Sequence, residues 1–319
     1  MWKWLKEQWR WLSKKVARYT KRITLPLFDG LSLYDVSLFF FRGIIKGSVT
    51  SRAGSIAYSF FLALFPGIIF FFTLIPFFPV ESLETEVFKV FQRILPPDTF
   101  DAVQSTIADV LNHKRGGLLS VGFFLALLFS TNGINAIISN FNQTIHKIEE
   151  RSLWQQLLVS LGLTVVITVN FLLGIIVIIF SSDVLNGLLG FFGLEAISSF
   201  AVELVRYLLL VFLIFIGIVL IYNFAPSGKR KWRFFSPGAI LATVLILVTS
   251  YLFSFYVANF NQYNTLYGSI GTLMVIMLWI YVNALVLIIG FELNASIASL
   301  KLERFEEEQK ELLEETKKA

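Results

Sequence analysis

Two charged side chains, Glu203 and Arg206, lie inside a long apolar stretch of this sequence and are spaced to interact. They stand three positions apart, so a helix would present both on one face as an ion pair. Because a charge in hydrocarbon costs free energy, we expect both side chains to face the interior of a helix bundle. There they form either a structural ion pair or part of a substrate or proton site.

Two runs of amide and hydroxyl side chains are further candidates. Asn132, Asn135 and Ser139 recur at steps of three and four, which places them on one face of a predicted helix. They predict either hydrogen bonds that join helices or the lining of a polar cavity. The charge-free run from Asn259 to Tyr267 predicts a polar turn between two apolar stretches, with a substrate gate as the alternative.

Glu292 and Asn294 lie near the end of the last apolar stretch, and Arg52 lies near the start of the first. All three are expected at the same membrane interface, so Arg52 is a candidate partner of Glu292. A structural pair, a functional pair and no contact at all remain open. The candidate intramembrane polar or transport site therefore comprises Arg52, Asn132, Asn135, Ser139, Glu203, Arg206, Tyr267, Glu292 and Asn294.

The sequence lacks the motifs of most enzyme classes. It holds no Cys and two His, and 56% of its 319 residues are hydrophobic. No phosphate-binding loop, nucleophile elbow or paired zinc histidines occur in it. We therefore expect no enzymatic activity, no cofactor and no metal site.

Six apolar stretches must position the candidate residues. They are 55–79, 117–140, 154–180, 196–225, 237–260 and 267–297. Each exceeds the roughly 20 residues with which a helix crosses a bilayer. The sequence thus predicts an all-α polytopic membrane protein, with six transmembrane helices in one domain over 53–300.

Successive connecting segments are alternately rich and poor in Lys and Arg. Summed over alternate segments, 22 basic residues lie on one side of the membrane and four on the other. Since basic residues are retained in the cytoplasm, both termini are predicted to be cytoplasmic. The segment 80–116 then faces outward.

The flanking segments have patterns of their own. Within the basic segment 1–52, residues 1–24 alternate a Trp-rich stripe with Lys and Arg, and 33–47 forms a second, more apolar pattern. Both predict helices in the membrane plane, the first bound to anionic headgroups, with partner binding as the alternative. The outer segment 80–116 predicts a helical hairpin, and 301–319 a charged cytoplasmic tail, either helical or frayed.

Three stretches resemble the YihY/BrkB family of bacterial inner-membrane proteins. They read AGSIAYSFFLALFP from 53, NGINAIISNFN from 132, and YNTLYGSIG from 263, the last followed by GFELNA from 290. The resemblance implies a multi-pass protein of the bacterial inner membrane. The family has carried the label ribonuclease BN, but this sequence lacks a cluster of hard metal ligands. Some members have been linked to serum resistance or to envelope lipid export.

Transport or flipping of a lipid or amphipathic envelope molecule is the leading hypothesis. A non-transporting envelope scaffold is the alternative, and a ribonuclease is disfavoured. The expected partners are membrane lipids, with anionic headgroups at the N-terminal helix and no nucleic acid. A homo-oligomer is left open.

Overall fold

The computed structural model describes residues 20–21, 23–24, 26–74, 116–144, 151–191, 199–228, 232–259 and 269–318. A short 3-10 helix, Pro26–Phe28, precedes the α-helices. The α-helices within these ranges are α1 (Leu33–Lys46), α2 (Val49–Leu74), α3 (Gly116–Asn142), α4 (Leu153–Phe191), α5 (Ser199–Phe224), α6 (Pro237–Asn259) and α7 (Ser269–Lys318). Tyr267, nearly all of the outer hairpin and most of the N-terminal helix lie outside the described residues.

The helices α2 to α7 are each long and apolar enough to cross a membrane, which confirms the predicted class of six-span all-α protein. The preceding helix α1 has 14 residues and reaches only about 21 Å. It begins at Ser32, whose hydroxyl accepts the Asp35 backbone N–H at 3.1 Å. Its Phe41 and Ile45 are exposed, whereas Val36 is buried beside α7.

Two helices run further than the apolar pattern predicts. The segment 181–195 was expected to be a loop, but α4 continues to Phe191. Ser and Asp make this part of the sequence less apolar. It contains no proline, which would end the helix. Likewise, α7 passes through the charged tail as one helix of 50 residues. Of the two predicted forms of the tail, the helical one is confirmed.

The six spanning helices form a closed ring in chain order. Each packs on the next, and α7 returns to pack on both α2 and α1. At one end of this ring, the start of α2 meets the end of α3, the start of α4 meets the end of α5, and the start of α6 meets α7. We call this the polar end, and the opposite end the distal end. The last part of α7, from about residue 302, extends beyond the polar end.

Side-chain packing is concentrated in the half of the ring near the polar end. Among residues 165–178 of α4, 203–217 of α5 and 244–257 of α6, none is buried. Toward the distal end, α6 and α7 remain in contact through Phe253 and Trp279, whose ring centroids lie 4.7 Å apart, and α2 and α3 also pack closely. There, a side chain on Gly122 would lie 3.3 Å from the Phe70 Cα atom. On α4, α5 and α6, side-chain burial therefore decreases toward the distal end.

Candidate functional site

A buried ion pair joins the first turn of α2 to α7. Arg52 Nη1 lies 2.5 Å from Glu292 Oε1, and the two side chains are 4% and 0% exposed. Of the alternatives that the sequence left open for these two residues, the absence of a contact is therefore excluded. Because the pair is desolvated, removing one partner would leave the other as an uncompensated buried charge.

Neighbouring groups complete the surroundings of this pair. Arg52 Nε donates to the Asn140 carbonyl oxygen at 2.8 Å, and Nη1 also donates to the Gly47 carbonyl at 3.3 Å. Thr144 Oγ1 donates to Glu292 Oε2 at 3.0 Å. Arg52 Nη2 is buried and has no hydrogen-bond partner. Thr144 was missed by the sequence analysis, although it follows directly on the amide-rich run.

Asn294 ties the start of α6 to α7. Its Oδ1 accepts the Gly238 backbone N–H at 2.8 Å, and its Nδ2 donates to Ser236 Oγ at 3.0 Å. A Cβ on Gly238 would lie 2.7 Å from Asn294 Cγ and would collide with the Gly290 carbonyl oxygen. Asn294 therefore caps a helix and holds a close crossing, a role that its position alone did not reveal.

The face of α3 that carries Asn135 and Ser139 joins this helix to α4. Gln156 Nε2 donates to Asn135 Oδ1 at 2.6 Å and to Ser139 Oγ at 3.1 Å. Asn132, in contrast, is exposed. This arrangement matches the alternative in which these side chains join helices.

The end of α5 is held by two further contacts at the polar end. Arg151 donates to the carbonyl oxygens of Phe224, Ala225 and Pro226 at 2.8 to 3.1 Å. Burial lowers the pKa of Arg151, while the carbonyl ends of the helix favour its charge. Asn142 Nδ2 donates to Ser227 Oγ at 2.9 Å and so joins the ends of α3 and α5.

Glu203 and Arg206 form the predicted ion pair but not in the predicted place. Arg206 Nη2 lies 3.2 Å from Glu203 Oε1, with the side chains 55% and 32% exposed for Glu203 and Arg206. The expectation that both face the bundle interior is wrong. They belong to the distal part of α5, where the described residues 203–209 include none that is buried.

Three aromatic side chains close the ring axis near the ion pair. Phe141 and Phe291 stack with ring centroids 4.1 Å apart, and Tyr222 packs edge-on at 5.8 and 6.1 Å. The Tyr222 hydroxyl donates to the Leu287 carbonyl oxygen at 2.7 Å. These residues come from α3, α5 and α7, which are alternate members of the ring, so they can meet only across its centre. We call them the aromatic plug.

Taken together, the fold and this site define a polytopic helical membrane protein whose buried charges converge at one end of a six-helix ring. A family profile described as virulence factor BrkB matches residues 40–314. The chain belongs to this BrkB family.

Relatives are found in distant bacteria. The chain is 33% identical to YfkH of Bacillus subtilis, whose name describes it as ribonuclease-like, over 79% of this chain and 90% of that protein. It is 26% identical to the UPF0761 membrane protein NTHI0384 of Haemophilus influenzae, over 84% and 96%. No solved structure matches the chain. Within its described residues, no three His, Cys, Asp or Glu side chains group to hold a metal ion.

Proposed function

We propose that this protein transports a lipid or another amphipathic envelope molecule across the bacterial inner membrane, with both termini in the cytoplasm. The observation that carries the proposal is the asymmetry of the ring, whose side chains are densely packed at the polar end and less buried toward the distal end. Transporters that expose a central site to one side at a time require such an arrangement.

Contacts among α2, α3, α5 and α7 close the polar end. The aromatic plug occupies the axis, and the Arg52–Glu292 pair joins α2 to α7 beside it. The Asn142–Ser227 hydrogen bond joins α3 to the end of α5. A molecule could pass this end only if these contacts separate together.

The opening toward the distal end follows from residues that share a helix face with the plug. Steps of seven residues keep nearly the same face and advance about 10.5 Å. Along these steps, side chains change from buried to half-buried or exposed. The three series are Phe141, Ile134 and Leu127 on α3, Tyr222, Phe215 and Leu208 on α5, and Phe291, Ala284 and Met277 on α7. A fully packed ring would bury each series along its whole length.

The chemistry of this opening supports an amphipathic cargo. Leu127, Leu208 and Met277 present hydrocarbon, which offers no replacement for the hydration shell of an inorganic ion. Acyl chains need no such replacement. The buried ion pair Arg52–Glu292 lies at the polar end, where a headgroup would be expected.

Reversible locking of the polar end tests this function. The chain has no native Cys, so Asn142→Cys with Ser227→Cys can be oxidised selectively. In proteoliposomes that contain fluorescent phosphatidylglycerol or phosphatidylethanolamine, we expect the reduced double variant to move lipid between leaflets. Oxidation should stop the movement, and reductant should restore it.

The control for this experiment is the single variant Asn142→Cys, which should be insensitive to oxidant. Dithionite bleaching of outward-facing label measures the movement. If folded, reduced protein moves neither lipid faster than empty vesicles do, the transport proposal is wrong.

A scaffold is the second candidate, and one observation favours it. Leu302, Phe305, Leu312 and Leu313 are exposed on the part of α7 that extends beyond the ring. Apolar side chains on an otherwise charged helix can bind a partner. If the scaffold role is correct, deleting residues 302–319 should abolish the cellular phenotype, and the oxidised lock should leave it unchanged.

A further inference from the structure

We propose that Arg52 binds the anionic headgroup of the transported molecule, which takes the place of Glu292 and thereby opens the polar end. This inference rests on the transport function proposed above and adds the charge of the substrate. The ligand is an anionic phospholipid headgroup, recognised through its phosphate oxygens.

Arg52 has hydrogen-bonding capacity that the protein does not use. A guanidinium group carries five N–H donors. The Nε donor is bound by Asn140, and Nη1 is bound by Gly47 and Glu292. Nη2 is buried without a hydrogen-bond partner, and the whole side chain is 4% exposed. Desolvated donors without an acceptor cost free energy, so this site favours a ligand with several acceptor oxygens.

The Arg52–Glu292 pair uses fewer guanidinium nitrogens than a pair between Arg52 and a phosphate could use. Glu292 contacts Arg52 through Nη1 alone. A phosphate can accept from Nη1 and Nη2 together, and such two-pronged bonds are the stronger arrangement for arginine. Its single negative charge would also replace the charge of Glu292, so that Arg52 remains neutralised.

Displacement of Glu292 would act directly on the closed end of the ring. Glu292 follows Phe291 of the aromatic plug on α7, and its other carboxylate oxygen is held by Thr144 after α3. When Arg52 no longer binds Glu292, α7 loses its buried ionic connection to α2. Headgroup binding thus directly causes the helices at the polar end to separate.

The position of Arg52 also fits a lipid. It lies in the first turn of a spanning helix, at the depth of the headgroups, while the apolar series described above extend toward the distal end.

A second buried atom without a hydrogen-bond partner, Thr131 Oγ1, lies on α3 toward the distal end. By contrast, the hydroxyls of Thr164, Thr243 and Thr249 donate to carbonyls of their own helices.

The test compares fluorescent phosphatidylglycerol with fluorescent phosphatidylethanolamine of the same acyl chains. Binding to the purified full-length protein in detergent and movement in proteoliposomes are both measured. Both lipids carry the phosphate, but phosphatidylethanolamine also carries an ammonium group that cancels the net negative charge needed to replace Glu292. We therefore expect wild-type protein to prefer phosphatidylglycerol by about tenfold. Arg52→Lys, which keeps the charge but loses the fork, should reduce this preference. Glu292→Gln removes the competing carboxylate and should tighten phosphatidylglycerol binding.

Two further variants guard against loss of folding. Arg52→Gln with Glu292→Gln removes both charges together, and it should bind the two lipids equally. Arg206→Gln removes an exposed arginine on α5 and should retain the wild-type preference. Millimolar inorganic phosphate should not compete, because it lacks the acyl chains.

The outcomes separate this inference from the transport function. Equal movement of both lipids by wild-type protein, or an unchanged preference in Arg52→Lys and the double variant, would overturn the role of Arg52 and leave transport standing. Competition by inorganic phosphate would overturn the lipid as ligand. Absence of any lipid movement, with a headgroup preference in binding that depends on Arg52, would reject transport but keep the site.

Discussion

At the residue scale, individual polar side chains connect segments that are far apart in the sequence. Arg52 binds the end of α1, the end of α3 and the middle of α7. Asp29, in the turn before α1, accepts hydrogen bonds from Arg233 and from Lys301, the latter at 3.2 Å. These contacts fix the loops and the ends of the spanning helices at the polar end.

The Asp29 contacts predict a pH dependence of stability. The hydrogen bond from Arg233, foremost, lowers the pKa of Asp29 below its ordinary value, against the opposing effect of partial burial. A carboxyl whose pKa is lower in the folded state stabilises the fold above its unfolded pKa, and this is lost as pH falls through the folded pKa. Asp29→Asn should therefore lower Tm at pH 7. The difference should begin to shrink as pH falls to about 3.9, the ordinary pKa of Asp, and should vanish below the lowered pKa of the folded state.

Thermal unfolding of purified wild-type and variant protein measures this difference. The Asp29 φ angle is 55°, a left-handed conformation that Asn also tolerates, so the substitution changes charge rather than backbone. Glu314→Gln, an exposed change near the end of α7, is the control. A Tm difference independent of pH would contradict the assigned contacts.

At the element scale, a close helix crossing joins α6 and α7. Gly238 and Gly290 allow the two backbones to approach, and Asn294 satisfies a backbone N–H in the first turn of α6. In a membrane, small residues at a crossing permit van der Waals contact where no hydrophobic effect drives association. This crossing therefore fixes the start of α6 against α7.

Gly238→Ala should destabilise the protein, because the added Cβ collides with the Gly290 carbonyl oxygen. Overpacking of this kind costs about 1–3 kcal/mol. Gly162→Ala on α4 is the matched control, since a Cβ there meets no atom within 4 Å. Unfolding by denaturant in detergent compares the two variants, and equal stability would show that the crossing is looser than described.

At the scale of the whole molecule, the ring combines a packed end with an open end. The buried core includes residues from all six spanning helices, and it lies mainly near the polar end. Such a distribution leaves the distal half held by fewer side chains. The transport function proposed above requires the helices to move between two arrangements, and this loosely packed half is where such movement would be easiest.

Single cysteines test both the opening and the orientation. Leu208→Cys should react with a membrane-impermeant maleimide added outside intact cells, because the distal half admits water. Ala284→Cys, buried one step of seven from the plug, should not react. Trp232→Cys, exposed at the polar end, should react only after permeabilisation. Labelling of Trp232→Cys in intact cells would contradict the orientation, and an inert Leu208→Cys would contradict the opening.

The sequence alone determined the class of protein, the number of spanning helices and their approximate bounds. A helix that crosses hydrocarbon needs a long apolar stretch whatever its neighbours are, so this information is local. Counting residues from the ends of the stretches also placed Arg52 and Glu292 at one interface, and so made Arg52 a candidate partner of Glu292; the structure forms this pair.

Only the tertiary structure decided which way each helix faces about its own axis. In spans such as α4 and α6, apolar residues cover nearly every face, so periodicity does not distinguish lipid from protein. For this reason the sequence could not show that Glu203 and Arg206 are exposed, that Asn294 caps α6, or that three aromatic residues meet on the axis. Helix rotation is set by contacts between residues far apart in the chain, and these exist only when the ring has closed.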